Sequence, residues 1–265
     1  ENLNVALVGV GGRGTWFVDT IPAMEKVVAL CDVDQRKLNE AFIRWETAGR
    51  KYAGSEHAWE RHRAAEYQRL VQDQPKTFHD FRKMLDDMDR GIDAVVIATP
   101  DHTHAVIAAG AIRAGKHVFC EKPLTRTVHE SRALRELARE YKVATQMGNQ
   151  GMASSEFRRT VELIWNGGLG TVREAHVWNG AGGSGLRQPP SEQQPVPDGF
   201  HWDLWLGPAA SRPYHRDWTH RHLWREFGTC QLGNWGSHSA ALAFLALKVD
   251  TLWYDAAAGP IRVQA

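Results

Sequence analysis

The chain has 265 residues, of which 43% are hydrophobic and 24% are charged, and its formal net charge at pH 7 is +1. This composition predicts an ordinary globular protein with two domains or one large one. The small net charge argues against nucleic acid as the main partner. The apolar runs are far shorter than the roughly 20 residues that cross a bilayer, and the three cysteines lack metal-ligand spacing. We therefore expect no membrane partner and no bound metal.

A glycine-rich segment at 9–14, G-V-G-G-R-G, directly follows the apolar run 5–8. A helix is predicted over 15–24, and a second strand over 27–31 ends at Asp32, about 20 residues beyond the glycines. A strand, a G-x-G-x-x-G loop, a helix and a strand that ends at an acid form the first unit of a dinucleotide-binding fold. The alternative is a structural glycine turn in an α/β protein.

The residues of this unit have distinct predicted roles. Gly9 permits a tight turn, Gly11 lets the backbone approach a pyrophosphate, and Gly14 lets the helix pack closely on the strand. The N-terminus of the helix then favours the phosphates. Asp32 is expected to accept hydrogen bonds from the adenosine ribose and to repel a 2′-phosphate, which favours NAD over NADP. Two nearby basic residues keep that preference moderate.

Strands and helices continue to alternate as far as residue 149. This alternation predicts an α/β fold, a doubly wound parallel sheet of the Rossmann type over residues 1–149. The further predicted strands lie at 94–98, 117–120 and 143–147, and the further predicted helices lie at 35–45, 46–75, 78–88, 104–114 and 128–141.

The pattern changes in residues 150–265, which we predict to form a second domain. A helix is expected over 155–165 and a strand with alternating polar and apolar residues over 172–178. The segment 179–200 is rich in Gly, Pro, Ser and Gln and is expected to be a long loop. Residues 261–265 have the pattern of a strand that is just beginning, so we expect the chain to be truncated there.

Two motifs stand at the predicted carboxyl ends of neighbouring strands: T-P-D-H-T-H at 99–104 and E-K-P at 121–123. Ligands of open α/β sheets bind at these ends, so both motifs are expected to face the nicotinamide half of a dinucleotide. The predicted cofactor-binding residues are Gly9, Gly11, Gly12, Arg13, Gly14, Asp32, Thr99, Pro100, His104, Glu121, Lys122 and Asn149.

The glycine loop, the strand-end T-P-x-x-x-H and the strand-end E-K-P, in this order and spacing, resemble the glucose-fructose oxidoreductase / inositol dehydrogenase / rhizopine-catabolism (Gfo/Idh/MocA) family. The segments 201–208, H-W-D-L-W-L-G-P, and 233–238, G-N-W-G-S-H, are also similar to family segments, so the resemblance covers essentially the whole chain. It implies an N-terminal NAD(P)-binding domain and a C-terminal α+β domain. The open sheet of the second domain would cover the active site and form a homo-oligomer.

The resemblance also implies catalytic residues. The lysine of E-K-P, here Lys122, would contact cofactor or substrate and transfer a proton, and partial desolvation would lower its pKa towards the working range. The family's second site is a D-x-x-x-H motif, whose spacing puts both side chains on one helix face. Here the motif contains Asn234 and His238. His238 can still exchange a proton near neutral pH, whereas Asn234 can only orient a substrate by hydrogen bonds.

The region around 202–235 is rich in tryptophan, histidine and arginine. Indole faces stack on sugar rings while Arg and His reach hydroxyl groups, so Trp202, Arg221, Trp224 and His238 are predicted to bind a carbohydrate. The competing interpretation is that the tryptophans are core or interface residues.

These observations predict an NAD-dependent oxidoreductase that acts on a secondary hydroxyl of a sugar, polyol or glycoside. Two alternatives stay open: a redox-neutral NAD-dependent glycosidase on the same scaffold, and a catalytically silent NAD-dependent sensor or scaffold protein. The sequence does not identify the sugar, and it leaves the compartment open between the cytoplasm and, if an export signal has been removed, the periplasm.

Overall fold

The computed structural model describes residues 2–178, 188–249 and 251, and its centre is a six-stranded parallel sheet. The strand order is β3-β2-β1-β4-β5-β6, and every neighbouring pair is parallel. This order is that of the dinucleotide-binding Rossmann fold, so the predicted α/β fold is confirmed. The strands are β1 (Asn4–Val8), β2 (Lys26–Cys31), β3 (Lys76–Phe78), β4 (Ala94–Ile97), β5 (His117–Glu121) and β6 (Thr145–Gly148).

Helices connect the strands and continue beyond the sheet. Those of the sheet region are α1 (Gly14–Thr20), α2 (Gln35–Tyr52), α3 (Ala58–Asp73), α4 (Phe81–Asp87), α5 (Asp101–Arg113) and α6 (Val128–Tyr141). Those that follow are α7 (Ser155–Trp165), α8 (Trp202–Leu206), α9 (Cys230–Ser239) and α10 (Ala241–Ala246). Throughout the described ranges, no helix is both long enough and apolar enough to span a membrane.

The central strands are apolar at nearly every position because helices cover both faces of the sheet. Successive side chains of a strand point to opposite faces. Accordingly, Ala6 and Val8 of β1 belong to one buried cluster, whereas Val5 and Leu7 belong to the other. The strands therefore separate two hydrophobic cores, one on each face.

The second half of the chain differs from its prediction. Residues 172–178 form no strand, and most of them are exposed. A strand needs a neighbouring strand for its backbone hydrogen bonds, and no described segment pairs with this one. The prediction of a strand at 172–178 is therefore wrong for the described structure. Residues 179–187, part of the predicted loop, and 261–265, the predicted terminal strand, lie outside the described residues.

Residues 199–229 fold against the carboxyl edge of the sheet. Gln35 N donates to the Gly199 carbonyl (2.9 Å) and His201 N donates to the Val33 carbonyl (2.8 Å), which ties this segment to the end of β2. Its apolar side chains form a separate aromatic cluster: Trp202, Trp205, Leu206, Tyr214, Trp218, Trp224 and Phe227. This arrangement closes one side of a cavity over the strand ends.

Candidate functional site

A cavity of about 890 Å³ runs along the carboxyl ends of the strands. One end of it, the β2 end, is lined by Asp32 and His79, and the other, the β5 end, by Lys122 and His238. Such a crevice at the carboxyl ends of the strands is the ligand site of open α/β sheets. Its volume lies within the range usual for cofactor and ligand pockets.

The loop between β1 and α1 is shaped by glycines at its crowded positions. Gly9 has φ +82°, and a Cβ there would lie 2.8 Å from the Ala98 carbonyl. A Cβ on Gly14 would lie 1.9 Å from the Gly9 carbonyl oxygen. Gly11 and Gly12 line the cavity and present only backbone to it. A dinucleotide pyrophosphate fits this site because it needs such close backbone approach.

Asp32 holds the glycine loop against the end of β2. Its two oxygens accept hydrogen bonds from Val10 N (2.9 Å) and Asp34 N (3.0 Å). Burial raises the pKa of its carboxyl above the ordinary value. Asp32 also lines the cavity at the β2 end, and its contact with the ribose stays a prediction.

The two cations near Asp32 have carboxylate partners of their own. Arg36 forms an ion pair with Asp34 (2.7 Å), and Lys37 forms one with Glu40 (2.8 Å). These pairs leave less positive charge available to attract a 2′-phosphate than the sequence suggests.

At the β5 end, Arg13 and Glu121 connect the glycine loop to the E-K-P motif. Arg13 Nε donates to Glu121 Oε1 (2.8 Å), and the Glu121 side chain is buried. The Arg13 guanidinium carbon also lies 4.7 Å from the centre of the Trp16 ring. Both residues line the cavity, and their ion pair joins the glycine loop to the end of β5.

Lys122, Asn234 and His238 meet at the β5 end, although more than 100 residues separate Lys122 from the other two. Lys122 Nζ donates to the backbone oxygen and to Oδ1 of Asn234, both at 2.7 Å. Desolvation by burial lowers the pKa of the Lys122 ammonium, and burial followed by the nearby Lys122 charge lowers the pKa of His238. The structure thus assembles all three predicted catalytic residues.

His104 contacts the protein backbone with both of its ring nitrogens. Nδ1 lies 2.7 Å from the Pro123 carbonyl oxygen and Nε2 lies 2.8 Å from that of Thr99. Burial lowers the pKa of its ring, and in the neutral form the ring donates to one of these oxygens at a time. His104 thus lines the cavity and also holds the two strand-end motifs together, and its contact with the cofactor stays a prediction.

Asn149 and Gly14, which were predicted to lie near the cofactor, contact neighbouring elements of the fold. Asn149 Nδ2 donates to the Ser237 carbonyl (2.8 Å), so it ties the end of β6 to α9. Gly14 lies under the loop against Gly9. The lining residues of the described cavity include neither of them, and their roles are to hold the elements around it.

Asp101 and His102, which the sequence analysis did not select, join α5 to the segment 199–229. Asp101 accepts from Arg221 Nε (3.1 Å) and from Thr229 N (3.2 Å). Burial alone would raise the pKa of Asp101, but Arg221 brings it below the ordinary value. His102 faces the carbonyl oxygens of Trp205 (2.8 Å) and Phe227 (3.2 Å). The sequence signal that could have identified them is their position directly after the T-P dipeptide at the end of β4.

Trp202 and Trp224 do not face the cavity, which corrects their predicted role as sugar-stacking surfaces. They are 8% and 6% exposed and pack within the aromatic cluster. Their indole N–H groups donate to the carbonyls of Arg212 (2.8 Å) and Asp217 (2.7 Å). Both are core residues. Arg221 does line the cavity as predicted, and Trp205 lines it without having been predicted.

In the part of the chain that the structure covers, no three His, Cys, Asp or Glu side chains form a cluster able to hold a metal ion. The fold and the cavity define a Rossmann protein with a dinucleotide site. The family described as "Oxidoreductase family, NAD-binding Rossmann fold" (GFO_IDH_MocA) matches residues 3–149, more than half of the chain. The chain belongs to this family, and the resemblance found in the sequence is confirmed.

Several curated relatives are similar to parts of the chain. It is 43% identical over 81 residues to levoglucosan dehydrogenase of Pseudarthrobacter phenanthrenivorans, covering 31% of this chain and 19% of the relative. It is 59% identical over 39 residues to inositol 2-dehydrogenase 1 of Saccharopolyspora erythraea, covering 15% and 12%. It is 33% identical over 132 residues to glycosyl hydrolase family 109 protein 2 of a Shewanella species, covering 49% and 25%. The chain thus spans a quarter or less of each of these relatives.

Among solved structures, myo-inositol 2-dehydrogenase from Lactobacillus plantarum is 23% identical, with a TM-score of 0.46 over 65% of this chain and 43% of its own. Scyllo-inositol dehydrogenase from Lactobacillus casei, solved with NAD(H) and scyllo-inositol, is 22% identical, with a TM-score of 0.47 over 64% and 43%.

Proposed function

We propose that the protein is an NAD-dependent oxidoreductase that oxidises a secondary hydroxyl of a sugar, polyol or glycoside. The observation that carries this proposal is the β5 end of the cavity, where a desolvated Lys122 lies beside Asn234 and His238. The family is one of NAD-binding oxidoreductases. The relatives named levoglucosan dehydrogenase and inositol 2-dehydrogenase support carbohydrate or polyol as the substrate class.

The cofactor would lie along the whole cavity, with its adenosine at the β2 end. The backbone of Gly9, Gly11 and Gly12 would hold the pyrophosphate, and Asp32 would accept hydrogen bonds from the ribose. We propose NAD rather than NADP because Asp32 would repel a 2′-phosphate and the neighbouring cations are already paired. When bound, NAD supplies the hydride acceptor, and the protein supplies orientation and proton transfer.

Lys122 is the group that would take the proton from the substrate hydroxyl. An ammonium has three donor positions, and Asn234 occupies two of them. Loss of the third proton leaves a lone pair on Nζ, which can accept the proton of the substrate hydroxyl. Because burial lowers its pKa, Lys122 is neutral in a larger fraction of molecules than an exposed lysine and can act as a base. The pKa of His238 is also lowered by burial, which favours the neutral ring, and His238 can share a hydrogen bond with the same hydroxyl.

We also propose that residues 1–149 and 150–265 act as separate domains, the first for NAD and the second for the carbohydrate and for assembly. Homo-oligomer formation through the second domain is part of this proposal. Sedimentation of the purified chain at several concentrations tests it: an oligomer supports the proposal, and a monomer at all concentrations contradicts it.

A second candidate function is glycoside cleavage with NAD but without net redox change. The relative named glycosyl hydrolase family 109 protein 2 favours it, because its match covers 49% of this chain. Lys122 and His238 would then transfer protons to and from a hydroxyl near the glycosidic bond.

The cofactor content of the purified protein separates these candidates. The protein is denatured and the released NAD(H) is quantified. An empty protein that added NAD stabilises supports the dehydrogenase. Near-stoichiometric bound cofactor favours the redox-neutral glycosidase, and glycosides are then screened for cleavage. An empty protein that neither NAD nor NADP stabilises contradicts both.

A further inference from the structure

Charge is distributed unevenly along the cavity. The carboxylates that line it gather at the β2 end, where Asp32 and Asp34 follow β2, Asp80 follows β3, and Asp203 lies near Arg82. At the β5 end, Glu121 is the carboxylate that lines the described cavity, and it is paired with Arg13. The end where the substrate reacts therefore contains no unpaired carboxylate among the described residues.

The cations of the β5 end are only partly neutralised. While Lys122 is protonated, it carries, together with Arg13 and Arg221, three positive charges, whereas Glu121 and the buried Asp101 carry two negative charges. The partner of Lys122 is Asn234, whose two oxygens are neutral. One positive charge thus lacks a counter-ion in the described surroundings, in a place where burial reduces solvent screening.

Arg221 has the geometry of an anion-binding residue. Its Nε donates to the buried Asp101, whose other oxygen accepts from the backbone N and the hydroxyl of Thr229. This buttress fixes the guanidinium while its side chain stays 35% exposed along the cavity. The terminal amino groups of Arg221 donate to no described protein atom, so a planar pair of donors is left for a carboxylate or phosphate.

We propose that the substrate is an anionic sugar derivative whose carboxylate or phosphate binds Arg221, with Asp101 as the residue that positions this arginine. The inference rests on the proposed oxidation of a carbohydrate and specifies its substrate class. An uncharged sugar would leave the fixed guanidinium and the excess charge of the β5 end without a partner. The competing interpretation is that Arg221 only fastens the segment 199–229 to α5.

The test is ligand-observed NMR binding in the presence of NAD, with hexoses compared with the hexuronates and hexose phosphates of the same configuration. Affinity for at least one anionic form is expected to exceed that for its neutral parent by about tenfold to a hundredfold, as for a charge-assisted bidentate pair. Arg221→Gln should remove this preference, so that the anionic and neutral forms bind with the same affinity. Arg225→Gln, at an exposed arginine of the same segment, should retain it.

Equal binding of anionic and neutral forms overturns the inference, as does binding of no anion or a preference that survives Arg221→Gln. Arg221→Lys, which keeps the charge but loses the planar fork, checks the fold and should retain part of the preference. The rate of NADH formation is measured on the same panel. If a neutral hexose is oxidised at the same rate as its uronate, only the inference about substrate charge is overturned. Failure to bind NAD or to oxidise any sugar contradicts the proposed function.

Discussion

At the scale of single residues, the site depends on how burial changes the chemistry of Lys122 and His238. Both have a pKa lowered first by desolvation. The motifs located Lys122, Asn234 and His238 in the sequence, but the hydrogen bonds between Lys122 and Asn234 could not be predicted. The Asn234 oxygens reach Nζ only because α9 packs over the end of β5, a contact between residues 112 positions apart. Sequence patterns report local spacing, and such distant contacts leave no local signal.

The pH dependence of oxidation tests the role of Lys122. A cation whose pKa is lowered from 10.5 is a base above that lowered pKa and loses this capacity as the pH falls through it. The rate is therefore expected to rise with pH to a plateau, with a midpoint below 10.5. Lys122→Arg should abolish the rise because arginine does not deprotonate. A midpoint at or above 10.5 would rule out this role.

The corrected position of Trp224 gives a prediction about stability. Trp224→Phe removes an indole donor from the Asp217 carbonyl and should lower the free energy of unfolding by about 1–2 kcal/mol. The KM for the sugar should stay within about twofold of the wild-type value. Trp59→Phe, at an exposed tryptophan, is the control for urea unfolding and should change little. A large rise in KM with unchanged stability would restore the stacking role.

At the scale of elements, the first turn of α5 joins three parts of the molecule. His104 connects Thr99 to Pro123, whereas Asp101 and His102 connect α5 to the segment 199–229. The motif T-P-D-H-T-H lies at a strand end, as its sequence predicts. Its polar side chains were expected to face the cofactor, but residue types do not reveal whether such a side chain faces a ligand or a neighbouring backbone.

Asp101→Asn tests this junction through the pH dependence of stability. The pKa of Asp101 is lowered below 3.8, so its ionised form stabilises the fold fully above that value, and the stabilisation is lost as the pH falls through the lowered pKa. The substitution should lower the free energy of unfolding by about 2–4 kcal/mol between pH 5 and 8, as for a broken buried ion pair. Below pH 3.8 the loss should be smaller. Urea unfolding at each pH measures it. A cost that is absent at pH 7 would contradict the assignment.

The loop between β1 and α1 predicts a sharp difference between two glycines. A Cβ on Gly14 would lie 1.9 Å from the Gly9 oxygen, whereas a Cβ on Gly54 would meet nothing within 4 Å. Gly14→Ala must displace the loop backbone and should weaken NAD binding by about tenfold or more. Gly54→Ala should bind NAD with the affinity of the wild type in an equilibrium titration. Equal affinities of both variants would show that the loop does not hold the cofactor.

At the scale of the whole molecule, predictability follows the range of the interactions. The parallel sheet was predictable because its apolar strands and intervening helices repeat along residues 4–148. The second half was not predictable in this way. Residues 172–178 alternate as a strand does, but no described strand pairs with them. Trp202 and Trp224 are residues typical of a sugar site, but they lie in a core. In these segments the outcome depends on distant packing, which periodicity does not encode.

The most direct test of the central claim is the appearance of reduced nicotinamide after the protein with bound NAD is mixed rapidly with a panel of sugars and glycosides. Wild type is expected to form NADH with at least one of them. Lys122→Ala, saturated with NAD, should form NADH about 10²–10⁴-fold more slowly, while Lys83→Ala, at an exposed lysine of α4, behaves as wild type. A protein that binds NAD yet forms no NADH with any of them, or a Lys122→Ala variant as fast as wild type, would contradict the account.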